Sequence, residues 1–567
     1  MKNRKRKINV GRVIAFIIAA IIVSFICFFI ITKLFKGVGQ IVGKNNMYVS
    51  SNTSTVSLYD LEYQQIDTIP RGTKLVISGE KIANDDKQYY KINYNKKEYY
   101  ILADDLTKEE KNIVKEKEMY VRTALTFYEK SDEIDIKGLI KKKEKVEILD
   151  YDKIAADGSV HMYKIKYNNE EGYVYGKYLV NNEEEASLNY DEDGKYQTHL
   201  KRTDTLGGGS AGNLDYYPYS KPKFEDNVMP NEVKALYMNA GVVKNVDEYI
   251  KLAKESGINA IVVDIKDNTT PAYPAKAMEK YSPTNYAKAL NSYDTFKNAI
   301  KKIKDAGLYV IGRITVFKDS YYAKDHPEDT ILDTATGSSY NHDGSYWPSA
   351  YKRNVWEFNV ALAIESVEEM GFNEIQFDYV RFPDRVGKLE DAGKINYSNS
   401  YKEEKAQAIQ RFIMYACDEI HKHNAYVSID VFGESAHNYV TAYGQYWPAI
   451  SNIADVISGM PYPDHFSKYE YGFTTPVWTI PYDLIHLWGE SFVMKRQAEI
   501  PTPAVVRTWI QVYDTNKTPA TKYDANMVSK QIQALHDSGL TGGFMTWNGG
   551  SSISKYTEVS SAFGKEY

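Results

Sequence analysis

From Val233 to the carboxyl terminus, the chain alternates eight times between a short apolar run of strand length and a longer connecting stretch. The strand candidates are Ala235–Asn239, Asn259–Ile265, Tyr309–Thr315, Glu374–Asp378, Ala425–Asp430, Asp455–Met460, Ala504–Ile510 and Gly543–Trp547. Amphipathic helical runs lie between them at Val246–Ser256, Tyr293–Ala306, Val355–Met370, Glu403–His421, Leu484–Ala498 and Met527–Ser538. The fifth connection is the weak link, because Tyr446-Trp447-Pro448-Ala449-Ile450 is short and contains proline. Alternation of this kind calls for a parallel sheet, and eight units in about 335 residues fit an α/β fold of the closed (β/α)8 TIM type. A doubly wound sheet is the alternative.

The strand ends share a property that packing alone does not require. Asp264 and Lys266 end the second strand, Arg313 the third, Gln376 and Asp378 the fourth, and Asp430 the fifth. Tyr462 and His465 follow the sixth, Trp509 and Gln511 close the seventh, and Trp547 and Asn548 the eighth. In a closed barrel these carboxyl-terminal ends converge on one mouth. Buried charge costs stability unless paired, so charge collected from this many segments points to a ligand. Two carboxylates among aromatic platforms suit glycoside hydrolysis, in which one carboxyl protonates the leaving oxygen and the other attacks or activates water. The roles expected are Asp378 as nucleophile or base and Asp430 as acid. Glu434 is the reserve acid, from the loop directly after the fifth strand. Asp264, Lys266, Arg313, Gln376, Arg381, Tyr462, His465, Trp509, Gln511, Trp547 and Asn548 would bind substrate. Each also has a plainer reading: Asp378 as an ion-pair partner of Arg313 or Arg381, Asp430 as a cap of the loop Phe432-Gly433-Glu434-Ser435, and the tryptophans as core. No paired-Cys or His-rich zinc motif and no glycine-rich phosphate loop occurs, so neither metal nor cofactor is expected.

The amino-terminal part reads differently. Val13 to Thr32 carries no charge and follows Lys2, Arg4, Lys5, Arg6, Lys7 and Arg12, the pattern of a membrane-spanning helix with a cytoplasmic basic tail. The expected organisation is a tail at 1–12, a transmembrane helix at 13–34, small β-barrel repeats at 45–108 and 116–182, a linker at 183–231 and the large domain at 232–567. The duplication rests on Met47-Tyr48-Val49 recurring as Met119-Tyr120-Val121, and Tyr90-Lys91-Ile92-Asn93-Tyr94 as Tyr163-Lys164-Ile165-Lys166-Tyr167. Gly207-Gly208-Gly209-Ser210 with Pro218, Pro222 and Pro230 marks the linker. A net charge of -5 argues against non-specific nucleic-acid binding, and two cysteines, Cys27 and Cys417, offer no disulfide framework.

Two resemblances add to this reading. The paired repeats, with the closing run Tyr173 to Leu179, resemble bacterial Src-homology-3-like domains of cell-envelope proteins, which implies binding to wall peptide or a spacer role. The segments Val262 to Asp267, Gly312 to Asp319, Gly371 to Pro383 with its Phe377-Asp378-Tyr379-Val380-Arg381-Phe382-Pro383 core, Asp430 to Gly433 and Met460 to Phe466 resemble a bacterial glycoside hydrolase family with a TIM-barrel catalytic domain. Ser458-Gly459 and Arg507-Thr508-Trp509 depart from the Ser-Pro and Arg-Pro-Trp common there. Taken with the apolar segment at 13–34 and the strand-end carboxylates, the expectation is a membrane-anchored, outward-facing enzyme acting on a cell-surface or cell-wall polysaccharide. A non-catalytic glycan receptor or a scaffold is the alternative.

Overall fold

The computed structural model describes residues 46–77, 79–189, 195–203 and 206–566. The expected basic tail and transmembrane helix lie outside the described residues, among which no helix is long and apolar enough to cross a membrane. The described chain forms two compact units: residues up to Tyr120 with Lys145–Asn182, and Val121–Glu144 with Glu183–Tyr567.

The first unit is rich in antiparallel β-structure. Thr55–Tyr59 pairs with Gln65–Pro70, and Lys87–Tyr94 with Lys97–Leu102, around a core containing Val49, Leu58, Ile69, Ile92 and Ile101. Further along, Met162–Tyr167 pairs with both Lys145–Tyr151 and Glu170–Tyr175. The sequence duplication has a structural counterpart: Tyr48 stands opposite Lys74, and Tyr120 opposite Lys145. Alternating apolar and polar residues in these strands bury one face each, which is what fixes such a register.

The second unit is mixed α/β. Its strands are β1 (Val233–Met238), β2 (Ala260–Asp267), β3 (Tyr309–Thr315), β4 (Glu374–Asp378), β5 (Tyr426–Phe432), β6 (Val456–Met460), β7 (Val505–Val506 and Thr508–Gln511) and β8 (Gly543–Trp547). All neighbours in this set run parallel. β7 is in two segments about Arg507: the first pairs with β6 and the second with β8. These nine segments make a nearly closed parallel barrel, consistent with a TIM barrel. Its interior is packed by Val233, Ala235, Tyr237, Ala260, Val262, Ile311, Trp509 and Met545. Arg507, where the seventh strand is divided, is wholly buried and pairs with Glu374 at 2.7 Å. The short fifth connection is real, a five-residue helix at Trp447–Ser451 with proline in its first turn, where the missing N–H is no loss. Gly459 also finds its reason here. A Cβ at that position would lie 2.6 Å from the Trp488 ring and 3.3 Å from Trp447.

One expected substrate contact is placed elsewhere by a local irregularity. Asp264 pairs with Arg313, but the next partnered residue, Lys266, pairs with Ile314, so Ile265 is an extra residue in the ladder. The slip reverses the face on which Lys266 stands. Instead of following Asp264 into the barrel, its ammonium lies 2.7 Å from Asp319 and 5.4 Å from the Phe358 ring, fully buried. Asp319→Ala is therefore expected to cost about 3–5 kcal/mol by leaving that charge uncompensated. Urea denaturation measures this, and adding Lys266→Met to Asp319→Ala should restore the part due to the unpaired ammonium but not the lost cap at Tyr321 and Tyr322.

Candidate active site

The mouth of the barrel is organised by Arg313. Its Nη2 and Nε donate to Asp378 Oδ2 at 2.6 and 3.2 Å, and its Nη1 donates to Asp264 Oδ1 at 2.8 Å. Nε also lies 3.9 Å from Asp430 Oδ2. Strand geometry explains the gathering. Arg313 is level with Asp264 on one neighbour and Gln376 on the other, so Asp378, two residues beyond Gln376, stands on the same inward face. Since Asp378 Oδ2 and Asp430 Oδ2 are 3.2 and 3.9 Å from the same nitrogen, they are no more than about 7 Å apart. Both plain readings are thereby resolved. Asp378 does pair with Arg313, and Asp430 turns its carboxylate inward rather than onto the following loop.

Each outer carboxylate has its own aromatic support. Tyr237 Oη donates to Asp264 Oδ2 at 2.6 Å, and Trp509 Nε1 donates to Asp430 Oδ1 at 2.8 Å. Asp430 Oδ2 is buried with no hydrogen-bond partner. Asp267 Oδ2 lies 3.9 Å from Nη1, so one guanidinium faces four carboxylates, which leaves negative charge in excess. Burial, and then the charge on Asp378, push the Asp430 carboxyl well above the usual carboxylate range. Burial likewise raises Asp264 to about 6, although Arg313 and the Tyr237 hydroxyl oppose it.

Accessibility separates Asp378 from Asp430. The side chain of Asp378 is 9% exposed, whereas that of Asp430 is 0% exposed. Directly after Asp378 the backbone turns sharply, with Tyr379 at φ +53°, a left-handed conformation that non-glycine residues rarely adopt and that often marks functional positions. Tyr379 and Arg381 help line a cleft of about 880 Å³ whose walls also include Lys318, Phe432, Glu434 and His465. Glu434 accepts hydrogen bonds from Tyr439 Oη at 3.1 Å and Tyr443 Oη at 2.8 Å, which orient its carboxylate. The Arg381 guanidinium lies 4.3 Å from the Phe432 ring centre and 5.1 Å from that of Trp347, and it donates to Asp384.

The remaining expected residues divide in two. Tyr462 and Trp547 stack at 6.3 Å, with Trp547 also 4.7 Å from Tyr237 and 5.6 Å from Trp509, so the aromatic group does collect around the carboxylates. Gln376, Gln511 and Asn548 are buried among protein partners. Gln376 Nε2 lies 3.4 Å from Ser458 Oγ inside the barrel, Gln511 holds the Asp464 N–H and the Tyr513 carbonyl, and Asn548 holds the Val512 carbonyl and the Ser552 N–H. The amides of Gln511 and Asn548 are spent on fixing loops, whereas Gln376 meets strand side chains and its Oε1 has no hydrogen-bond partner. Sequence reasoning missed Tyr237 and Trp347. The signal for Tyr237 was present, since it follows Val233 and Ala235 on the inner face of β1.

The chain has partial likenesses to solved structures. A hypothetical protein from Ruminiclostridium thermocellum is 28% identical, with 35% of this chain and 97% of that one covered and a TM-score of 0.29. The PgaB (BpsB) glycoside hydrolase domain from Bordetella bronchiseptica is 12% identical, covering 58% and 99% with a TM-score of 0.43. A class V chitinase from Pseudomonas fluorescens Pf-5 is 12% identical, covering 58% and 99% with a TM-score of 0.37. No curated protein matches the chain. Residues 235–553, more than half of the chain and the whole of the barrel mouth, match the family model DUF4015. The chain belongs to that family, described as "Putative glycosyl hydrolase domain".

Proposed function

We propose that the barrel unit hydrolyses a cell-surface or cell-wall polysaccharide by two-carboxylate catalysis, on an outward-facing protein anchored through residues 13–34. The observation that carries this reading is the carboxylate cluster on Arg313, in which Asp378 keeps a small exposure and Asp430 has none. Asp378 accepts two hydrogen bonds from Arg313 on one oxygen, which orients its carboxylate for the role of nucleophile or base. Asp430 carries the proton that two adjacent carboxylates cannot both release. A proton donor must also touch the leaving oxygen, and here Glu434 fits better than Asp430, because Glu434 lines the cleft. In this reading Asp430 positions and tunes Asp378, and Glu434 moves from reserve acid to acid. The limit of about 7 Å between the Asp378 and Asp430 oxygens does not exceed the spacing of carboxylate pairs that work together in glycoside hydrolysis, which supports this reading. The small β-structures at 45–108 and 116–182 would hold the barrel at the wall or bind its peptides.

Glu434→Gln tests the assignment of the acid. On cell-wall or exopolysaccharide fractions it should lower kcat by about 10²–10⁴-fold and remove the alkaline limb of the pH profile, which reports the acid. Unchanged kcat with an unchanged pH profile would return the role to Asp430.

A further inference from the structure

Away from the barrel mouth, the second unit contains another cavity, of about 510 Å³, that the reaction does not use. Its walls come from the turn at 141–143, the segment around Asp215, and the approach to the helix Lys405–Ile420. The charge on those walls is lopsided. Lys141, Lys142, Lys143, Lys402 and Arg411 face it, against two acids, Asp215 and Glu403. Both acids are already engaged. Asp215 pairs with Arg122 at 3.3 Å and accepts the Tyr219 hydroxyl at 2.6 Å. Glu403 is held between Arg353 at 2.8 Å and Arg411 at 2.6 Å. Among the described residues no carboxylate lies within salt-bridge distance of Lys141, Lys143 or Lys402. The cavity therefore presents cations whose counter-charge the protein does not supply.

Two further features make this more than a solvated lysine run. Lys143 and Lys402, on separate segments, both have left-handed backbones, with φ of +72° and +56°, a conformation that costs of order 1–3 kcal/mol where a side chain is present. Lys142 is tethered through the Leu188 carbonyl at 2.7 Å, and its proton affinity is lowered by burial, with Lys143 and Arg122 adding to the effect against Asp215. Lys142 is thus half-buried beside like charge, while Lys141, Lys143 and Lys402 line the same cavity and stay exposed to solvent. The chemistry of the donors selects among anions. Arginine forks suit carboxylates, but Arg411 already serves Glu403, which leaves lysine ammoniums, compact point charges suited to phosphate oxygens.

We propose that this cavity binds clustered phosphate groups, as carried by a phosphate-bearing surface glycopolymer, at a site separate from the barrel mouth. Free oligophosphate shares that chemistry, so the experiment uses both sources. The purified protein would be titrated calorimetrically with inorganic tripolyphosphate and with a poly(glycerol phosphate) chain, at about 50 and 500 mM salt. One saturable site is expected, weakened at least tenfold by the added salt. The Lys141→Gln, Lys143→Gln, Lys402→Gln triple variant should bind at least tenfold more weakly, with an unchanged melting temperature and unchanged glycan hydrolysis. Tighter binding of the polymer identifies it as the occupant, and equal binding identifies the phosphate cluster itself. Absence of saturable binding, equal affinity in the variant, or stronger binding of a single-stranded oligonucleotide than of the polymer would overturn the proposal.

Discussion

Asp378→Asn is expected to lower kcat by about 10⁴-fold on any polysaccharide the protein cleaves, with KM changed by only a few fold. The substitution keeps the shape of the side chain and one acceptor oxygen for Arg313, gives up the bond from the Tyr379 N–H, and removes the negative charge that attacks a sugar or activates water. Folding should survive. Arg313 retains Asp264 at 2.8 Å, and one member of an over-acidic cluster has been neutralised. A loss of activity with an equal or higher melting temperature separates a chemical role from a structural one, because a purely structural ion pair would lose stability. Comparison with Asp430→Asn sharpens the point. Asp430 is enclosed and already favours its protonated form, so the amide imitates its resting state. That variant should lose less activity than Asp378→Asn and show a shifted acidic limb in its pH profile.

The largest effect on stability is expected from Arg313→Met. It leaves Asp264, Asp267, Asp378 and Asp430 without their shared cation, and removing one side of such a buried pairing costs about 3–5 kcal/mol. The pH dependence has a definite sign. A carboxyl whose folded pKa is raised contributes stability that is full below its unfolded pKa and lost as pH rises through the folded value. Asp264 already sits at about 6 against 3.8, and burial also raises Asp430 well above the usual carboxylate range. Without Arg313 both move further up. The variant should therefore approach parental stability near pH 4 and fall away between pH 5 and 8, as followed by thermal melts across that range. A deficit that is constant with pH would mean that Arg313 acts by packing rather than by charge.

The sequence was most informative where strand geometry is regular. On β3, β4 and β5 the alternation of faces carries Arg313, Asp378 and Asp430 to one point, and those residues were legible from the pattern. Lys266 was not, because one extra residue in β2 reverses the alternation, and no local signal in Asp264-Ile265-Lys266 announces a bulge. Gln511 and Asn548 share residue types with sugar-binding groups, but their amides are taken up by loop backbone. Which amide finds a protein partner depends on loop paths that sequence patterning does not specify. Tyr237 shows the opposite failure. Its phase on β1 placed it in the barrel, yet an aromatic at an inner position reads as core until Asp264 is seen at its hydroxyl. The acid assignment also turned on a tertiary quantity. Asp430 and Glu434 are four residues apart in sequence, but one is sealed and the other lines the cleft.

The central claim, that the Arg313 cluster hydrolyses glycosidic bonds, is tested most directly by measuring new reducing ends released from cell-wall and exopolysaccharide fractions by the purified protein. Release that rises with enzyme and time is the predicted result. Saturable binding to those fractions with no new reducing ends would contradict the account and make the barrel a receptor.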